Sequence, residues 1–170
     1  MQRRAELDPF EFYARLVIAS RRNARVLIHH YSGAPGREEA LRAVIAHPLC
    51  TIETDTFLTR RGHQNPASYG TFPRVLGSLV RAGLFGLEEA VHRMTGAAAE
   101  RLGLRDRGVV RPGAAADLVV FDPARLRDEA TFAEPARFPT GIEHVFINGR
   151  HVLEGERYDA GALAGRVLRL

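Results

Sequence analysis

The feature that most constrains this chain is a change of rhythm along it. Up to about residue 83, short continuous apolar runs alternate with helical patterns and short loops. From about residue 106 the pattern becomes one of strands and turns. The first rhythm is that of a parallel α/β structure, the second that of a small β unit. The expected organisation is therefore residues 1–105 as an α/β part and residues 106–170 as a β segment.

The α/β part opens with a well-marked helix. Asp8 is a good N-cap, Pro9 falls at the first helical position and Glu11 completes capping-box spacing. Phe10, Tyr13, Ala14, Val17 and Ile18 share one face, and Arg21, Arg22 and Arg25 supply cations at the C-terminal end. Val26-Leu27-Ile28, running into His29-His30-Tyr31, has the continuous apolar character of a buried strand. A second helix is expected over residues 38–47, stopped by Pro48.

Next comes the stretch on which a function would turn. Cys50-Thr51-Ile52-Glu53-Thr54 reads as a short strand with a carboxylate, Asp55, at its end. A polar loop follows, holding Arg60, Arg61, Gly62, His63, Asn65 and Pro66, and an apolar helix pattern resumes at Val75, Leu76, Leu79 and Val80. In a barrel of alternating strands and helices, catalytic side chains sit at the C-terminal ends of strands. Asp is also common as a plain loop or helix cap, so both roles stay open for Asp55 at this point.

Beyond residue 83, Leu87, Ala90, Val91 and Met94 mark an amphipathic helix. On it Glu89 and Arg93 form an i, i+4 pair, and Glu88 pairs with His92 at the same spacing. A small helix is expected over residues 97–102. The β tail holds Gly108-Val109-Val110, a turn at Arg111-Pro112-Gly113, a strand over residues 116–122 and a proline-containing linker. It closes with a hairpin, residues 144–147 and 150–153 around Asn148-Gly149. Asn-Gly between apolar runs is a strong hairpin signal, because both residues tolerate the positive φ of a type I′ turn.

Composition excludes several function classes. All 24 basic residues are arginine, spread over a 170-residue chain of net charge +4. Without a basic stripe interleaved with aromatics, nucleic-acid binding is not expected. The single cysteine, Cys50, leaves no internal disulfide framework and fits a reducing, cytoplasmic location. It reads as a small core residue rather than a nucleophile. No apolar run approaches a membrane span, and the N-terminus does not read as a signal peptide.

Three segments resemble D-aminoacylases, the N-acyl-D-amino-acid deacylases of the amidohydrolase superfamily. They are Gly70-Thr71-Phe72-Pro73-Arg74, Leu87-Glu88-Glu89-Ala90-Val91 leading to Met94-Thr95-Gly96, and the tail from Arg107 through Ala116-Asp117-Leu118-Val119-Val120-Phe121-Asp122. Val145-Phe146-Ile147-Asn148-Gly149 matches the family's closing hairpin, and the likeness covers about residues 25–170. It implies the C-terminal portion of a (β/α)8 metal-dependent hydrolase barrel followed by a small β-sandwich segment. Residues 26–31 would be strand seven and residues 51–55 strand eight. Asp55 would be the strand-eight aspartate, taking a proton from metal-bound water and passing it to the leaving amine. The implied cofactor is a divalent metal, zinc, in the complete enzyme; the implied substrate is an N-acyl amino acid or related amide.

The departures from the family pattern are informative. There is no His-x-His, and none of the seven histidines matches the family's main metal ligands, so no metal ligand is assigned in this chain. Of these, His29 and His30 are read as loop-edge hydrogen bonders, His47 as a helix-end residue, His63 as a solvated loop residue and His92 as the partner of Glu88; His144 and His151 likewise match no ligand position. The place of the family's substrate-carboxylate arginine is taken by Ala67, leaving Arg60 or Arg61, with His63 beside them, as substrate-binding candidates. The expected function is a carbon–nitrogen hydrolase of the deacylase type, present here as a C-terminal fragment inactive without the missing half, for which a separate N-terminal chain is one candidate partner. A non-catalytic remnant or partner-binding half, and a dihydroorotase- or hydantoinase-type enzyme, are the alternatives.

Overall fold

The computed structural model describes residues 8–21, 36, 38–56 and 62–168. The chain divides into two compact units, Met1–Pro35 and Gly36–Leu170. The expected strand at residues 26–31 lies outside the described residues, as do Arg60 and Arg61.

In the first unit, α1 spans Pro9–Ala19. Its start is as its sequence demands: the Asp8 carboxylate accepts from the backbone N–H of Phe10 at 2.9 Å and of Glu11 at 3.1 Å. Glu11 pairs with Arg15 one turn on, at 2.6 Å. The helix stops at a Ser20 C-cap, and Arg21 has a φ of 51°, so Arg21 follows the helix rather than ending it; Arg22 and Arg25 lie outside the described residues.

The second unit begins with α2, Glu38–Ala46. After it, residues 50–56 belong to no sheet, which corrects the expected strand at 51–55. A parallel strand is held by ladders to its neighbours. Here the described anchors are two backbone bonds, Cys50 N–H to His47 at 2.9 Å and Ile52 N–H to Arg93 at 3.4 Å.

The helix α3, Ala67–Arg74, runs into a π-helical turn, Val75–Leu79. Pro73 lies inside α3. It lacks an N–H and crowds the carbonyl one turn back, which accounts for the widened turn that follows. Then α4, Leu87–Met94, and α5, Gly96–Arg101, pack against each other. The expected ion pair of Glu88 with His92 is absent from the described interactions; the Glu89–Arg93 pair is present at 2.7 Å.

Residues 108–110, expected as strand, are not one. Gly108 takes a φ of 75°, Val110 is 87% exposed, and no described strand lies beside them. The following turn is as read: the N–H of Ala114 bonds the carbonyl of Arg111 at 3.1 Å, with Gly113 at φ 85°, a type II turn with Pro112 at its second position.

The sheet has order β1-β2-β3-β4, every pair antiparallel: β1 Leu118–Phe121, β2 Ile142–Ile147, β3 Arg150–Glu154 and β4 Arg157–Tyr158. The β2–β3 turn is the expected one, with φ of 48° at Asn148 and 80° at Gly149. A second layer that would make a sandwich is not among the described residues, and Val119 and Val120 on β1 are 53% and 43% exposed.

Two polar and steric networks explain the tail motif and the Gly-Thr-Phe-Pro-Arg segment. In the tail, Arg107 pairs with Asp117 and donates to Asn148 Oδ1 at 2.8 Å. Asp117 in turn accepts the Asn148 N–H at 2.7 Å, and Asn148 Nδ2 donates to the Ala164 carbonyl at 2.7 Å. The motif thus locks the hairpin turn. In the other, Leu126, 1% exposed, sits where the β1–β2 linker meets α3 and the π-turn. A side chain at Gly77 would meet the Leu126 carbonyl at 2.6 Å, and one at Gly70 the Asp128 carboxylate. Arg81 donates to the carbonyls of Leu126 at 3.0 Å and Pro123 at 3.3 Å.

Candidate active site

The extended segment carrying Asp55 is held from below by one buried cation. Arg93 on α4 is 5% exposed, and every donor nitrogen of its guanidinium is engaged. Nη1 donates to the carbonyls of Ile45 and His47, both at 2.8 Å, and Nη2 to Ala46 at 3.1 Å. Nε reaches Glu89 at 2.7 Å, and the Phe85 ring lies 5.4 Å from the guanidinium carbon.

These carbonyls lie at and just past the C-terminal end of α2, so a positive charge there satisfies both hydrogen bonding and helix dipole. The carbonyl of Arg93 then takes the N–H of Ile52. A single residue on α4 therefore ties the end of α2 to the segment that leads to Asp55. Spacing marked it only as an i, i+4 partner of Glu89. The signal that could have found it is its place three residues after Ala90, which is fully buried.

Asp55 itself is exposed, with a left-handed backbone φ of 42° that Asp tolerates better than most residues. His63 lies beyond the undescribed part of the loop. Its Nε2–H donates to the Phe132 carbonyl at 2.7 Å, tying the loop to the β1–β2 linker. Tyr69, on α3, packs edge-on to Phe138 of the same linker at 5.6 Å. Among the described residues no hydrogen bond or ion pair joins Asp55 to His63.

Among the described residues no group of three His, Cys, Asp or Glu side chains could hold a metal ion. The Nε2 of His63 is occupied by a carbonyl, and the Nδ1 of His47 accepts the N–H of Leu49 at 3.2 Å. These residues do not fit the group. Nor is any described helix long and apolar enough to cross a membrane.

Residues 17–153 match the Amidohydrolase family model. The chain is 47% identical over 118 residues to an N-acyl-D-aspartate deacylase of Alcaligenes xylosoxydans xylosoxydans, covering 69% of this chain and 24% of the relative. It is 50% identical over 105 residues to a D-aminoacylase of the same organism, covering 61% and 22%. Among solved structures it resembles an N-acyl-D-glutamate deacylase from Bordetella bronchiseptica, crystallised with zinc and a phosphonate mimic of the tetrahedral intermediate. The TM-score is 0.71 at 41% identity, over 78% of this chain and 28% of that one. The chain thus spans about a quarter of the length of the curated relatives it matches.

Proposed function

This chain belongs to the amidohydrolase family, with an α/β barrel hydrolase fold, and we propose that it is the C-terminal part of an N-acyl-D-amino-acid deacylase. In this reading residues 1–105 complete the barrel and residues 106–170 form one side of a small β-sandwich. The whole enzyme hydrolyses the amide of an N-acyl-D-amino acid in the cytoplasm. The observation that carries the reading is the 43–50% identity to three deacylases over 105–118 residues of this chain.

Asp55 is the chain's chemical contribution. Its carboxylate takes a proton from water as the oxygen adds to the amide carbonyl, and returns it to the departing amine nitrogen, so that no net proton is consumed. Its exposure and its position after a segment anchored to α4 support that role. Arg60 and Arg61 are candidates for the substrate carboxylate, and His63 for shaping the loop beside them. A divalent metal, zinc, belongs to the complete enzyme, with its ligands supplied outside the described residues of this chain.

The test is a chimera. Residues 17–153 replace the matching stretch of the N-acyl-D-aspartate deacylase, and hydrolysis of N-acetyl-D-amino acids is followed with and without Asp55→Asn. The expected result is turnover in the chimera and a loss of about 10²–10⁴-fold in kcat in the variant. A folded chimera that turns over equally well with Asn at position 55 would refute the assignment.

A further inference from the structure

We propose that the β2–β3 hairpin carries a two-histidine site for a borderline divalent cation of the Cu²⁺, Ni²⁺ or Zn²⁺ class, built from His144 and His151. The inference does not rest on the deacylase reading.

The site is a product of sheet register. Near the hairpin's open end, His144 pairs with Glu154 and Val145 with Leu153; nearer the turn, Phe146 pairs with His151 and Ile147 with Arg150. The register shifts by one residue between Val145 and Phe146, leaving Val152 as the extra residue of a β-bulge. Without the shift, Phe146 would face Val152 and His151 would fall on the opposite face. With it, His151 comes round to the face that carries His144 and Phe146.

The result is a contact of 3.1 Å between His144 Nδ1 and His151 Nε2. Two imidazole nitrogens bound cis to one metal at roughly 2.0–2.1 Å lie roughly 2.9–3.3 Å apart, from square-planar to tetrahedral angles. The observed separation falls inside that window. Phe146 stacks on His151, with centroids 4.5 Å apart and planes 16° from parallel, which fixes the plane of one ligand ring. The turn two residues away is locked by Arg107, Asp117 and Asn148, so little ordering remains to be done on binding.

Neutral rings in this contact share one proton. On metal binding, the ring that donates carries its proton on its other nitrogen, and the two facing lone pairs turn to the cation. Water completes the coordination. Glu154 stands beside His144 on β3, but its carboxylate is engaged by Arg157 at 2.7 Å.

The experiment is titration of the full, untagged chain with NiCl₂, followed by calorimetry, and with substoichiometric CuCl₂, followed by backbone amide NMR. The expected result is that Cu²⁺ broadens the amides of His144, Phe146 and His151 first. His144→Gln and His151→Gln should each lower Ni²⁺ affinity at least tenfold, and the double variant His29→Gln/His30→Gln should leave it unchanged. The NMR arm uses the unaltered chain and stands even if a variant disturbs the hairpin. Broadening elsewhere, or affinity that survives both hairpin variants, would overturn the proposal.

Discussion

The closing hairpin and the Asp55 segment are both short extended stretches, yet they are held in opposite ways. The hairpin makes its own structure: strand pairs strand across a type I′ turn, and Arg107, Asp117 and Asn148 bond one another at its tip. The Asp55 segment makes almost none of its own. It is placed by α2 behind it and by α4 beneath it, through Arg93. A self-contained element tolerates the loss of its surroundings, whereas an element placed by others does not. That contrast explains why the tail motif folds as read while the expected strand at 51–55 does not pair.

The sharpest way to break the contrast is to remove the clamp. Arg93→Met deletes hydrogen bonds to the carbonyls of Ile45, Ala46 and His47 at the end of α2 and to Glu89, and should cost about 3 kcal/mol of the unfolding free energy of this unit in urea. Hydrogen exchange should quicken at Cys50 and Ile52 while the hairpin amides keep their protection. Equal loss in both regions would mean they are not independent.

Gly141→Ala acts on the linker between them. The residue has a φ of 84°, and a Cβ there would meet the Leu126 backbone at 2.5–2.7 Å, so about 2–3 kcal/mol is expected from strain and overpacking. A calorimetric Tm checks it. Asn148→Ala attacks the hairpin alone. It forces Ala to a φ of 48° and removes the bonds to Arg107 and Ala164, for about 2 kcal/mol, with faster exchange confined to β2 and β3. Smallest is His63→Ala, an exposed loop contact to Phe132, expected to change stability by about 0.5 kcal/mol. A larger value would make that contact a third anchor for the loop.

What could be read from the sequence divides along the same line. Asp8 as a cap, Pro112-Gly113 as a type II turn and Asn148-Gly149 as a type I′ turn depend on neighbours in the chain, and all stand as read. So does α2, stopped before Pro48. Residues 51–55 and 108–110 carry apolar or β-branched content, but strands exist only where partners supply ladders. Burial of Arg93 and the bulge at Val152 depend on packing and register, for which spacing carries little signal. Of the candidate site, Asp55 and His63 were identifiable as polar residues around one loop. That Arg93 sets the position of the segment was not.

The central claim is that Asp55 is the residue this chain brings to amide hydrolysis. The most direct measurement is kcat for an N-acetyl-D-amino acid in the chimera described above, with Asp55→Asn beside Arg93→Met. The account predicts a fall of about 10²–10⁴-fold for Asp55→Asn with the fold intact by circular dichroism. Undiminished turnover in a folded Asp55→Asn chimera would contradict it.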